Sequence, residues 1–174
     1  MITGNYFTNN EDLLLQFQSI TDWKELVEAY EHGFTDAEEY KKSGNDKLAF
    51  APSTVDEAIE YYKSTLDSVG DLIGKQVAPK MAEMDKIGLK YDNGKVIFPK
   101  PMEEAMKAIT DAGLLPYGIA RKFGGLGMPA TVQAMAMEIV SRADGALAIA
   151  LGCFNLAETI EKYGSKEQIE KYVP

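Results

Sequence analysis

Cysteine, histidine and tryptophan are almost missing from this chain: each occurs once in 174 residues, as Cys153, His32 and Trp23. A lone cysteine rules out an intrachain disulfide, and a lone histidine leaves no Cys/His cluster with the spacing that zinc needs. A reducing compartment is the expected setting. Positive charge is also scarce. Lysine and arginine total 18 against 27 acidic residues, a net charge of -9, so nucleic acid and anionic membrane surfaces would on average be repelled. The adjacent basic pairs Lys41-Lys42 and Arg121-Lys122 do not form a stripe. Long apolar runs are lacking too. The stretch from Gly145 to Ala157, with Asn155 as its polar residue, is too short to span a bilayer, and no transmembrane segment is predicted. Met1 to Asn10 show neither a basic segment followed by an apolar run nor a small-residue cleavage site, so no secretory signal is expected and the predicted location is cytoplasmic.

What is present describes a soluble globular protein. Hydrophobic residues make up 45% of the chain and charged residues 26%, and the length suits one full-sized domain with an appendage. Apolar spacing of three and four recurs nearly everywhere, which predicts an all-α helical bundle. Asn10 is placed to cap a first helix carrying Leu13, Leu14 and Phe17. A second follows Thr21, with Trp23, Leu26, Val27 and Tyr30 on one face and Gly33 as its stop. The polar stretch from Thr35 to Pro52 reads as a linker, dividing an N-terminal extension, residues 1–52, from the main domain, residues 53–174. Ser53 with Asp56 predicts the capped start of a long helix through Val55, Ile59, Tyr62, Leu66, Val69 and Ile73, which Pro79 bends or ends.

Asp92-Asn93-Gly94, between Tyr91 and Val96-Ile97-Phe98, predicts a small β-hairpin. Pro101 then suits the first turn of a helix that Gly113 stops. Leu114 to Pro129 is a loop rich in glycine and proline but also in large apolar residues, so it should be packed. Met135, Ile139 and Val140 mark a further helix. The Gly145–Ala157 run reads as a central helix surrounded by others, and Ser165 with Gln168 gives a capping box for a last one.

Few residues point to chemistry by type and spacing alone. The Gly124-Gly125-Leu126-Gly127 turn lacks the preceding strand and the longer Gly-x-Gly-x-x-Gly pattern of a nucleotide site, and reads as structural. Cys153, with no adjacent base, reads as a core thiol. His32 beside Gly33 reads as a helix C-cap residue. Asp36, Glu38 and Glu39 read as a solvated acidic face, and Glu103-Glu104 as a complement to a helix dipole.

Four segments, in order, resemble the N-terminal helical domain of the acyl-CoA dehydrogenase family. They are Val77-Ala78-Pro79 with Asp85-Lys86-Ile87-Gly88; Phe98-Pro99 and the helix to Ala112-Gly113-Leu114-Leu115; Phe123-Gly124-Gly125-Leu126-Gly127; and Met137 to Asp144, continued by Tyr163 to Gln168 and Lys171 to Pro174. The resemblance covers roughly residues 53 to 174, and the part before it is similar to the extension of some larger members. Ala120-Arg121-Lys122 departs from the proline and acidic residues usual there, which puts in question any salt bridge the family makes at that place.

The resemblance implies a domain that packs, in the whole enzyme, against a central β-domain and a C-terminal helical domain, with flavin adenine dinucleotide (FAD) and acyl-CoA bound between them. It implies α,β-oxidation of an acyl-CoA thioester, with a carboxylate taking the α-proton, the flavin taking the β-hydride and an electron-transfer flavoprotein as acceptor. It also implies a homo-oligomer when full length. The base and most of the flavin site belong to the other domains, so no catalytic residue is assigned here and the chain alone is expected to be inactive. By alignment on Gly164 and Tyr172, the wall of the acyl pocket falls on Leu147, Ala148, Leu151 and Asn155, which share one helix face. Ordinary core packing is the competing reading for each, and a buried Asn155 would need hydrogen-bond partners. A free-standing helical interaction module is the rival to the enzyme reading.

Overall fold

The structure is a computed structural model. It describes residues 4–114, 117–152 and 155–173, apart from the side chain of Asn155. The expected all-α architecture is found, with a two-stranded antiparallel hairpin as its β component among the described residues. The N-terminal part holds α1 (Glu11–Leu15), extended by a π-helical turn over Gln16–Ile20, then α2 (Trp23–Tyr30) and α3 (Thr35–Ser43). The long helix α4 (Val55–Leu72) continues through a π-turn, Ile73–Val77, and a 3-10 turn, Ala78–Lys80, into α5 (Met81–Ile87). Pro79 has no N–H to give to a helical ladder, and the tighter turn falls where it sits.

Strands β1 (Lys90–Asp92) and β2 (Lys95–Ile97) pair Tyr91 opposite Val96. Asn93 and Gly94 carry positive φ of 47° and 82°, the conformation of a two-residue turn that matches strand twist. Then come α6 (Lys100–Asp111), α7 (Ala130–Ala143), α8 (Gly145–Gly152), α9 (Asn155–Tyr163) and α10 (Lys166–Tyr172). The last is opened by the predicted Ser165/Gln168 capping box, both bonds of which form.

Helical spacing builds the core. Ala58, Tyr62, Leu66, Val69 and Ile73 form the buried face of α4 and its continuation, and they meet α7 through Val132, Met135, Ala136, Ile139 and Val140. The N-terminal extension belongs to the same hydrophobic cluster: Phe7, Leu13, Phe17, Trp23 and Val27 are buried in it. Aromatic rings run from Phe7 through Phe17 and Trp23 to Tyr62 on α4, with successive centroids 5.7, 4.4 and 6.0 Å apart, distances at which ring pairs add to plain burial. Before α1, residues 5–7 form a strap along α4. Tyr6 N donates to Gly70 O at 2.9 Å, and a Cβ at Gly70 would stand 2.6 Å from Phe7 N. The close approach requires glycine there.

Several sequence expectations shift. Asn10 does not cap α1 with its side chain; its Oδ1 accepts from Arg142 Nη1 instead. Asp22 caps α2. The start of α4 lies one residue later than expected: Thr54 accepts from Glu57 N, and Glu57 reaches back to Ser53 N and Oγ. The stretch read as a linker carries α3, a polar helix with Asp36 and Glu38 in its first turn and Lys41 and Lys42 in its last, an order that suits the helix dipole without an apolar stripe.

The apolar run after Gly145 is not surrounded on every side: Ile149 in α8 and Leu156 in α9 are 77% and 66% exposed. Leu147, Ala148 and Leu151 on one side of α8 reach the core. Cys153 lies outside the described residues.

Candidate functional site

An apolar groove of about 340 Å³ opens between α5, the hairpin base, α6 and α8. Each wall follows from local structure. Met84 lies on the buried side of α5, and Gly88 ends that helix at positive φ. Phe98 and Pro99 lead out of β2, and Met102 follows in the first turn of α6. Ala146, Ile149 and Ala150 close it from α8, at the three- and four-residue spacing of a single helix face. The volume is at the lower end of small-molecule sites, and two small alanines on α8 are what leave the space. At the rim, Asp144 already has work: its Oδ1 accepts from Leu147 N at 2.6 Å and so starts α8.

The residues expected to line an acyl pocket can now be placed. Leu147, Ala148 and Leu151 are 0%, 5% and 4% exposed and belong to the core cluster, so this chain's own helices cover them. The groove takes the neighbouring positions on the same helix. The fourth, Asn155, begins α9, and its side chain lies outside the described residues.

A second constellation was not foreseen. Arg121, in the 3-10 turn Arg121–Phe123 of the packed loop, is buried, and its guanidinium makes a two-pronged pair with Glu31 just beyond α2: Nη1 to Oε2 at 2.8 Å and Nη2 to Oε1 at 2.9 Å. Nη1 also reaches Asp36 Oδ2 at 3.2 Å, and Nη2 reaches Gly127 O at 3.1 Å. Tyr62 Oη donates to the same Glu31 carboxylate, and the guanidinium stands 5.5 Å from the centre of the Tyr61 ring.

Burial alone would lower the Arg121 pKa, but hydrogen bonds and charge from Glu31 outweigh it and hold the group above its ordinary value. The Tyr62 hydroxyl is pushed well up by burial and by its bond to Glu31. Asp36 is therefore part of an ion-pair network and not only a solvated face. Within Ala120-Arg121-Lys122, Arg121 carries a salt bridge whose partner, Glu31, lies in residues 1–52.

Glu104 pairs with Lys80 at 2.8 Å, which adds a cross-helix contact to its expected role at a helix start. His32, with φ 48°, stands one residue beyond the Glu31 C-cap of α2.

The glycine turn is structural. Gly124, Gly125 and Gly127 spend their N–H groups on Arg121 O, Ala120 O and Ile119 O, leaving no cradle of free donors for a phosphate. Among the described residues, this turn therefore offers no seat for the phosphates of a flavin nucleotide. Among the described residues there is no cluster of acidic, cysteine and histidine side chains able to hold a metal, and no helix is long and apolar enough to cross a membrane.

The family profile described as "Acyl-CoA dehydrogenase, N-terminal domain" matches residues 60–174. The chain belongs to the acyl-CoA dehydrogenase family. It is also similar to a 3-methylmercaptopropionyl-CoA dehydrogenase of Ruegeria pomeroyi, with 32% identity over 82 residues. That alignment covers 47% of this chain and 14% of the relative's length. The family match includes α4 from Glu60 onward and every later helix, the groove and Arg121, whereas Glu31, Asp36 and the aromatic rings of the extension precede it.

Proposed function

We propose that this chain is the N-terminal helical part of an FAD-dependent acyl-CoA dehydrogenase acting in fatty acid metabolism, and that its groove seats part of the acyl chain. The family match over residues 60–174 carries the proposal. The groove supports it with a concave, mostly apolar surface that has Met84, Met102 and Ile149 for a hydrocarbon to pack against. In this reading residues 53–174 are the family domain and 1–52 its extension. Leu147, Ala148 and Leu151 back the wall from the core side, and Asn155 remains the fourth proposed position of the acyl pocket. No residue of this chain is assigned to the flavin or to proton abstraction. FAD, the base and the electron-transfer flavoprotein contact belong to the rest of the enzyme, a homo-oligomer in the cytoplasm, and the chain alone is inactive.

Exposed apolar side chains support packing against further domains. Leu89, Tyr91, Val96 and Ile97 on and beside the hairpin, with Leu156 and Tyr163 on α9, are each 47% exposed or more, and a neighbouring domain would cover them. The same surface would serve the rival interaction module, which makes no use of the groove.

The test is Ala150→Trp in the enzyme produced from the complete reading frame. An indole on that wall fills the groove, so kcat/KM for the longest acyl chains should fall at least about tenfold while the shortest are spared, since a methylene or two in an apolar pocket is worth about 10–200-fold. An unchanged chain-length profile would count against the groove as the acyl site.

A further inference from the structure

The Glu31–Arg121 pair joins a stretch inside the family match to one that precedes it, since Arg121 lies within residues 60–174 and Glu31 does not. We propose that Glu31 is a positioning residue: acting through Arg121, it fixes the Tyr117–Met128 loop and the anchorage of α9 on that loop, which puts both under the control of the N-terminal extension.

The geometry supplies the linkage. Arg121 Nη2 bridges Glu31 and Gly127 O, so one side chain ties the extension to the far end of the loop. The loop is closed by Gly125 N to Ala120 O, Gly127 N to Ile119 O and Met128 N to Tyr117 O. Tyr61 Oη donates to Leu126 O and holds it on α4. Next to Arg121, Ala120 N donates to Glu161 Oε2 on α9 at 3.0 Å.

Of the two carboxylates on Arg121, only that of Glu31 is buried, 4% exposed against 39% for Asp36. A charge pair shielded from water is the less screened of the two. If Glu31 were neutral, the buried guanidinium would lack its main counter-charge. Water is close by: Arg121 borders an open cavity of about 290 Å³, rimmed by Tyr30, His32, Asp36 and Glu161. A move of Arg121 into it would release Gly127 O and pull Ala120 away from Glu161. Lysine cannot replace arginine here, because a single ammonium cannot make the two-pronged contact while also reaching Gly127 O.

The experiment is amide hydrogen exchange on the 174-residue chain, comparing the unaltered protein with Glu31→Gln. Glutamine keeps the shape and still accepts from Tyr62 but removes the charge. The amides of Ala120, Gly125, Gly127 and Met128 should exchange about tenfold faster or more, relative to those of α4 and α7. Equal acceleration of all amides would mean that Glu31 only adds to global stability and would overturn the proposal, as would no acceleration at all.

The double variant Glu31→Met with Arg121→Met covers the case in which Glu31→Gln does not fold, because replacing both charges by apolar side chains of similar length commonly preserves folding. It lacks the tie to Gly127 O, so the same four amides should again exchange fast against a protected core. Loop protection equal to that of the unaltered chain would overturn the proposal.

Discussion

Alanine at Gly70 should destabilise this protein, although the same change in the middle of an ordinary exposed helix stabilises by about 0.8–1.0 kcal/mol. The difference is the strap. A Cβ at Gly70 would lie 2.2 Å from Asn5 Oδ1, 2.6 Å from Phe7 N and 2.8 Å from Phe7 Cβ. The Asn5 amide can swing aside. Phe7 cannot, because its side chain is fully buried with its ring edge-on to Phe17. The strap must therefore lift from α4. That costs the Tyr6 N to Gly70 O bond, about 0.5–1.5 kcal/mol net, together with part of the burial of Phe7, about 1.5–3 kcal/mol when complete. After the helix gain is subtracted, the net loss is about 1–3 kcal/mol, the usual range for overpacking a core. In a chain of this length that corresponds to a Tm roughly 2–12 °C lower. Urea unfolding followed by Trp23 fluorescence is the natural assay, since the lone tryptophan sits between Phe17 and Tyr62. A midpoint unchanged or raised would refute the strap's role in the core.

Other outcomes follow from the same contacts. Tyr62→Phe removes one donor from the buried Glu31 carboxylate and should cost about 1–3 kcal/mol in urea titration. Gly94→Ala should cost about 1–2 kcal/mol through backbone strain alone, since nothing lies within 4 Å of its Cβ and only the positive φ resists it; thermal unfolding of the chain measures it. Burial pushes the Tyr117 hydroxyl up to about 12. The unfolded chain therefore ionises first, so the stability owed to this group is complete below pH 10 and is lost as the pH rises towards 12. Tyr117→Phe should flatten that alkaline limb by roughly 2–3 kcal/mol, read from urea midpoints across the pH series.

Elements built on local chemistry were legible in the sequence. The face of α4, the Asn93-Gly94 turn, the stop near Gly113 and the Ser165/Gln168 box each depend on residues a few positions apart. The cap of α4 was displaced by one position because Ser53 and Thr54 are both cap formers, and only the reach of Glu57 decides between them. The polar α3 was missed because it has no apolar stripe; Ala37 is its buried residue.

The candidate site was harder to read. Leu147 and Leu151 announce a buried face, but which side of α8 borders the groove depends on where α5, α6 and the hairpin base stand. The Glu31–Arg121 pair spans 90 positions and leaves no local pattern. One signal was available: an arginine inside a loop of large apolar residues must find a carboxylate if that loop packs.

The most direct test of the central claim is to assay acyl-CoA oxidation with an artificial electron acceptor, using the product of the complete reading frame and the 174-residue chain side by side. The account predicts turnover with flavin present in the first and none in the second. Turnover by the 174-residue chain alone, or a flavin-loaded complete protein that fails to oxidise acyl-CoA of any chain length, would contradict it.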